Sequence, residues 1–388
     1  MLLYFSLVFL TFTSKVLSFN SYKSLPEDAK LFFTELSFKY GHPAKEYRVV
    51  TEDGYILQLF RWPGKSKIPV LLMHGLFSTA DSWILRGNTS LPVALVNAGY
   101  DVWIGNIRGN KYSRRHSNLN PNKKKFWNFS FHELAVYDLS AIVDTVLDKT
   151  GAKKINAMGH SQGNSIFYVL SSTRPEYNEK VNLLIALSPV CYFNNAQPPV
   201  NNVLEFIPIF GRITKGFVAE IFGPGLIRVL LENICPIPDL GYFICAENIL
   251  FPLAGFNKAE LGPDFVPVLT THFPSSSSLK NLLHLAQVYD RKIFAAYDYG
   301  PRNVLVYNST EPPEYDLNKV TMPVVLIAAK NDRLSTLKDV ELLRRKLPNV
   351  VGELVMEPDK FNHIDYLWGE HTNVYLHPFI LSVLEKYS

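Results

Sequence analysis

The sequence predicts an α/β fold in which a mainly parallel central sheet is covered by helices and carries an inserted, mostly helical segment. Three observations predict it. Short apolar runs bounded by turn residues recur along the chain, stretches of helical spacing lie between several of them, and the alternation breaks between Pro189 and Pro323. Strands buried on both faces read as continuous apolar runs, and alternating strands and helices favour a doubly covered sheet. With 388 residues, 47% of them hydrophobic and 19% charged, the chain can bury a large core.

Taken from the start, residues 1–12 form an apolar run too short for a comfortable membrane span, and Val16-Leu17-Ser18 places a small residue before a cleavage point. Residues 1–18 are therefore expected to be a signal peptide, although the run lacks a preceding Lys or Arg. The sequons at Asn88, Asn128 and Asn308 fit passage through the secretory pathway and are expected glycosylation sites, in a protein that is secreted or lysosomal. Three cysteines exclude a scaffold built on disulfides. One bridge is expected, between Cys235 and Cys245, while Cys191, after the apolar run 183–187, reads as a buried free thiol.

Residues 47–62 read as two strands joined by Asp53-Gly54, a hairpin signal. The runs 68–73, 100–104, 155–158, 181–187, 324–329 and 352–356 are the expected strands that follow, and 131–147 is the clearest expected helix. The core is thus expected in two parts, 19–190 and 323–388, around a cap at 191–322. That insertion is rich in Pro, Gly and aromatic residues and has no uninterrupted apolar stretch long enough to span a bilayer. A net charge of +4 is far from the dense basic patterning of nucleic-acid binders, so no nucleic acid is implied, nor is any protein partner. The run Lys123-Lys124-Lys125 reads as a solvated loop face.

Gly159-His160-Ser161-Gln162-Gly163 matches G-x-S-x-G, in which small flanking residues allow a sharp strand-to-helix turn that presents a serine hydroxyl. A strand-like run precedes it and a helix-capable run follows, the context expected of an α/β-hydrolase. A serine hydroxyl is a weak nucleophile, so a histidine must take its proton and a carboxylate must orient that histidine. In this fold the chain order is serine, acid, histidine. Asp332, at the end of the run 324–329, is the expected acid, ahead of Asp339 in a segment that reads as a helix surface. His363, in the loop after the last strand, is the expected base, ahead of His371. Backbone N–H groups of Leu76 and Gln162 are the expected oxyanion donors. No H-E-x-x-H, C-x-x-C or strand-flanked G-x-G-x-x-G occurs, so neither metal nor cofactor is called for.

The chain resembles the acid lipase family, which includes gastric and lysosomal acid lipases. The resemblance rests on Thr51-Glu52-Asp53-Gly54-Tyr55, His74-Gly75-Leu76, Arg108-Gly109-Asn110-Lys111-Tyr112-Ser113, Phe129-Ser130-Phe131, Tyr137-Asp138-Leu139, the Gly159-to-Gly163 motif, Ala296-Tyr297-Asp298 and Asn362-His363-Ile364-Asp365. It implies hydrolysis of triacylglycerols or sterol esters at a lipid interface, beneath a helical cap, with Ser161, Asp332 and His363 as the triad. The departures lie in the cap, in the spacing of Cys235 and Cys245 and around residues 270–278. Two other readings share these residues: a lipid carrier on the same fold that has lost the chemistry, and a carboxylesterase or acyltransferase with the same triad.

Overall fold

A computed structural model of the chain describes residues 25–214 and 217–388. The expected signal peptide and its cleavage point lie outside the described residues. The strands are β1 (Lys45–Val50), β2 (Ile56–Trp62), β3 (Val70–Met73), β4 (Val102–Gly105), β5 (Ile155–His160), β6 (Val181–Leu187), β7 (Glu220–Ile221), β8 (Ser277–Ser278), β9 (Val324–Ala328) and β10 (Val350–Val355). All but β7 and β8 form one sheet, in the order β1-β2-β4-β3-β5-β6-β9-β10. The β1–β2 and β2–β4 pairs are antiparallel and the remaining neighbours are parallel.

Burial accounts for the apolar runs. Every residue of β3, β4, β5 and β9 is buried, because helices cover both faces of the sheet. Edge strand β10 alternates half-buried and exposed positions instead, as a strand covered on one face does. The hairpin forms with Val50 opposite Ile56, and the Thr51 N–H, donating to the Tyr55 carbonyl at 2.9 Å, closes it on the three-residue loop 52–54 rather than on a two-residue turn. Gly54 takes φ 94° there, a backbone region open to glycine. The expected helix at 131–147 runs on to Thr150, with one wider π turn at Leu134–Leu139, and ends on Gly151 in the left-handed conformation.

Between β6 and β9 the chain leaves the sheet. Its main helices there are α1 (Val200–Ile213), α2 (Leu226–Ile234), α3 (Val266–His272) and α4 (Leu279–Arg291). None of the described helices is long and apolar enough to cross a membrane. The serine run at 275–278 has a local purpose: β8 pairs with β7, and the Ser278 hydroxyl accepts the Asn281 N–H at 3.0 Å to cap α4. Cys235 and Cys245 are disulfide-bonded, with Cα atoms 5.7 Å apart, and join the end of α2 to the helical segment Tyr242–Leu250. Cys191 is free and buried.

Candidate active site

Ser161 sits between β5 and the helix Gln162–Thr173 at φ 55° and ψ −123°. For a non-glycine residue that conformation stores about 1–3 kcal/mol of strain, held by the surroundings. Two of those restraints are backbone hydrogen bonds: the Ser161 N–H donates to the Leu187 carbonyl at 3.1 Å, and the Ser161 carbonyl accepts the Asn164 N–H at 2.9 Å. The flanking glycines are required by close approach. A Cβ on Gly163 would fall on the Met73 carbonyl oxygen, and one on Gly159 would meet the Asn164 amide. The motif therefore packs the turn directly against the end of β3.

Three other residues converge on this turn from separate strand ends. β6 lies between β5 and β9 in the sheet, so the residues that leave these three strands are neighbours. Asp332 follows β9, Ser188 follows β6, and His363 arrives in the loop after β10. His363 Nε2 lies 2.9 Å from Ser161 Oγ. On the other side of the ring, His363 Nδ1 lies 3.0 and 3.1 Å from the two Asp332 carboxylate oxygens. Asp332 also accepts the N–H groups of Leu334 at 2.9 Å and Ser335 at 2.8 Å. With its proton on Nδ1, the imidazole presents a free Nε2 lone pair to the serine hydroxyl, the arrangement that proton removal requires.

The imidazole is braced from behind by His160, whose Nε2–H donates to the His363 carbonyl at 2.8 Å. Burial pushes the His160 pKa down to about 3, so this ring stays neutral beside the other. The His363 N–H donates to the Ala254 carbonyl at 3.2 Å, and Asn362 Nδ2 donates to the Gly255 carbonyl at 3.0 Å, fastening the loop to the chain after Phe251–Ala254. Leu76 and Gln162 both line the cavity that Ser161 opens into, and neither backbone N–H donates to a protein acceptor among the described residues. His74 supports the Leu76 turn. Its Nδ1–H donates to the Gly75 carbonyl at 2.8 Å, and burial lowers its pKa to about 4.

Asp339 and His371 sit away from this contact set. Asp339 is buried rather than on a helix surface, and it accepts the Asn195 N–H and side-chain amide while capping Leu337–Lys346 with Thr336. His371 is paired with Glu260 at 3.1 Å. Several residues near the site carried no signal in sequence reasoning. Ser188 is fully buried, with φ 48°, and touches both Asp332 and His363. Asn281 on α4 exchanges two amide hydrogen bonds, of 3.1 and 3.2 Å, with the side chain of Gln162.

The cavity in front of Ser161 has a volume of about 950 Å³ and is lined by Leu204, Phe206, Phe210, Leu231, Leu253 and Leu334 among many apolar side chains. Glu220 is the one acidic side chain among its described lining residues, and it is already paired with Arg114. Nothing in that lining is placed to neutralise a charged ligand. No group of acidic, histidine or cysteine side chains able to hold a metal ion occurs among the described residues.

A mainly parallel sheet of this order, with a serine on the strained turn after β5, is the α/β-hydrolase fold. Residues 68–228 match a family model described as alpha/beta hydrolase fold, and residues 33–87 one described as partial alpha/beta-hydrolase lipase region. The chain is 36% identical over 368 residues to Lipase 1 of Drosophila melanogaster, covering 94% of this chain and 82% of that protein. It is 37% identical over 361 residues to the gastric triacylglycerol lipase of Rattus norvegicus, covering 88% of each. The lysosomal acid lipase/cholesteryl ester hydrolase of Homo sapiens is 33% identical over 374 residues, covering 91% of this chain and 90% of that protein. The chain belongs to the acid lipase family. Among solved structures, a thermophilic esterase from Thermogutta terrifontis aligns with a TM-score of 0.52 at 16% identity, covering 89% of this chain and 99% of that one. An epoxide hydrolase from Vigna radiata gives 0.53 at 16% identity, covering 88% and 98%. At such identity these two speak for the fold alone.

Proposed function

We propose that this chain hydrolyses the carboxylic ester bonds of neutral lipids, triacylglycerols and sterol esters, through an acyl-enzyme on Ser161. The observation that carries the reading is the 2.9 Å contact between Ser161 Oγ and His363 Nε2, opening into an apolar cavity without a free charge in its described lining. His363 takes the Ser161 proton as Oγ bonds to the ester carbonyl carbon. The N–H groups of Leu76 and Gln162 receive the oxyanion. The proton then passes from Nε2 to the departing alcohol as the ester C–O bond breaks, leaving the acyl group on Ser161. Water, deprotonated by the same Nε2, attacks the acyl carbon; the bond from that carbon to Ser161 Oγ breaks, Oγ takes the proton back from Nε2, and the fatty acid leaves. Asp332 holds the imidazole in the required tautomer throughout and stabilises its charged form. The reading is tested by assaying the purified protein against triolein, cholesteryl oleate and a short-chain nitrophenyl ester from pH 4 to 8. Hydrolysis of the short ester alone would reassign the protein to soluble esters, and no hydrolysis at all would favour a carrier.

Residues 191–322 act, in this reading, as a cap that shifts to admit lipid. Phe206, Phe210 and Leu226 line the cavity, yet Phe206 and Leu226 are exposed, as are Ile213 and Phe217 of the same insertion. An apolar rim of that kind suits contact with a lipid surface, and a lid gates access without altering the chemical step. Replacing Phe206 and Phe210 by Ser is expected to reduce hydrolysis of emulsified lipid far more than that of a soluble ester. Activity on a short-chain triglyceride should also rise steeply at its solubility limit. Equal losses on both substrates, or a featureless concentration curve, would make the insertion an ordinary structural unit.

The protein is assigned to the secretory route, ending outside the cell or in the lysosome. Asn88, Asn128 and Asn308 are all exposed, as glycan attachment requires, and the disulfide suits an oxidising compartment. Peptide mapping of the mature protein is expected to find an N-terminus near Phe19 and glycans at these three asparagines. A retained leader and bare sequons would contradict the assignment.

A further inference from the structure

The hydroxyl of Ser188 stands where a simple triad has only two partners. Its Oγ lies 2.6 Å from Asp332 Oδ2 and 2.6 Å from His363 Nδ1, nearer to that nitrogen than either carboxylate oxygen at 3.0 and 3.1 Å. The side chain is wholly buried, on the ring edge away from Ser161, so it cannot meet substrate. A hydroxyl has one proton and two lone pairs. Asp332 is a carboxylate acceptor, so the Ser188 proton goes to Oδ2, and an Oγ lone pair then accepts the Nδ1–H. The sheet builds the contact: Ser188 leaves β6 between the strands that deliver Ser161 and Asp332, and its N–H donates to the Ile327 carbonyl of β9 at 3.0 Å. Its φ of 48° turns the side chain into the gap, a conformation unfavourable for serine and held by that packing.

We infer that Ser188 is a positioning residue that relays the Asp332–His363 contact and keeps the imidazole unprotonated further into acid than the carboxylate alone would allow. The inference rests on the triad reading above. Two effects point the same way. The Nδ1–H is divided between a neutral hydroxyl and the carboxylate, so the charged imidazolium gains less than from an undivided ion pair. The carboxylate already accepts from Leu334, Ser335 and Ser188, and each donated hydrogen bond reduces the charge it presents to the ring. The other titratable groups around the imidazole do not compensate: His160 is held neutral by burial, and burial raises the carboxyl of Asp365, two residues along, to about 7 and the phenol of Tyr366 well above its usual range. Removing the hydroxyl leaves Asp332 to take the whole Nδ1–H, which favours the protonated ring.

The test is the pH dependence of kcat/KM for a soluble ester, whose acid limb reports protonation of the free enzyme's base. Ser188→Ala is expected to move that limb to higher pH by about 0.5 to 1 unit, the size one hydrogen bond supports, with the plateau changed less than about tenfold. Ser188→Gly, which adopts positive φ freely, should give the same shift with better folding. Superimposed profiles, or a limb moved toward acid, would overturn the inference while leaving the triad reading intact. The proton NMR resonance of the His363 Nδ1–H reads the contact without turnover: it should move in both variants, and an unchanged resonance would also overturn the relay. Failure of the triad reading shows differently, as wild-type hydrolysis that persists in Ser161→Ala.

Discussion

Ser161→Ala is expected to lower kcat on any ester substrate by about 10⁴- to 10⁶-fold while the protein still folds and binds substrate. The size follows from the chemistry. Without Oγ there is no acyl-enzyme, and what remains is water attacking a carbonyl polarised by the Leu76 and Gln162 amides. The fold should survive because Ser161 makes its structural hydrogen bonds through its backbone, to Leu187 and Asn164, and these persist in alanine. Alanine inherits the strained φ of 55°, so the melting temperature is expected to stay close to that of wild type. Matched unfolding curves, with hydrolysis followed at high enzyme concentration, check both halves. A variant that keeps more than about a hundredth of wild-type kcat would remove Ser161 from the reaction.

The largest effect on stability is expected at Arg108, far from any role in bond cleavage. Its side chain is 1% exposed and makes ion pairs with both Asp138, fully buried, and Asp53 of the hairpin loop. Arg108 Nε donates to Asp138 Oδ1 at 2.7 Å, the backbone N–H donates to Asp138 Oδ2 at 2.8 Å, and the guanidinium lies 3.8 Å from the centre of the Tyr55 ring. The group ties the loop after β4 to the β1–β2 hairpin and to the helix beginning at Phe131. Burial pushes the Asp138 carboxyl up to about 6 even against the pull of this guanidinium. Arg108→Met should cost about 3–5 kcal/mol, because the buried Asp138 carboxyl loses its partner and must take up a proton, while Asp53 and Tyr55 lose the guanidinium that ties them to it. That is a large share of the stability of a typical domain. Adding Asp138→Asn should restore part of the loss, since the buried amide needs no counter-charge and no proton, and can still accept the residue 108 N–H. Denaturant unfolding of the single and double variants measures both effects. An unchanged midpoint for Arg108→Met would mean that the ion-pair cluster holds nothing together.

This cluster also shows which parts of the molecule were legible in the sequence. The stretches around Asp53, Arg108, Phe129 and Asp138 stand out along the chain only as short separate motifs; the fold brings them into one contact set. Strands were readable because burial on two faces leaves a local mark, a run of apolar residues, as in Val324–Ala328. The serine turn was readable for a similar reason: its glycines answer to backbone atoms a few residues away or in the adjacent strand. The ends of elements were less clear. The run at 68–73 becomes a strand only from Val70, because Pro69 has no N–H to give the ladder. Ser188 and Asn281 could not be read, since a serine after a strand and an asparagine in a helix carry no periodicity, and their meaning lies in partners 144 and 119 residues away. Asp339 reads as surface because its helix is polar, whereas Asn195 covers it from another part of the chain.

The most direct test of the account is covalent. A fluorophosphonate reacts with a serine only where a base activates the hydroxyl and an oxyanion site receives the phosphonyl oxygen. Incubating the intact protein with such a reagent, then digesting it and mapping the adduct by mass spectrometry, names the nucleophile without presuming a substrate. A single adduct is expected on Ser161, forming in step with the loss of lipid hydrolysis and absent in Ser161→Ala. An adduct on any other serine, Ser188 included, or an active protein that takes up no label, would contradict it.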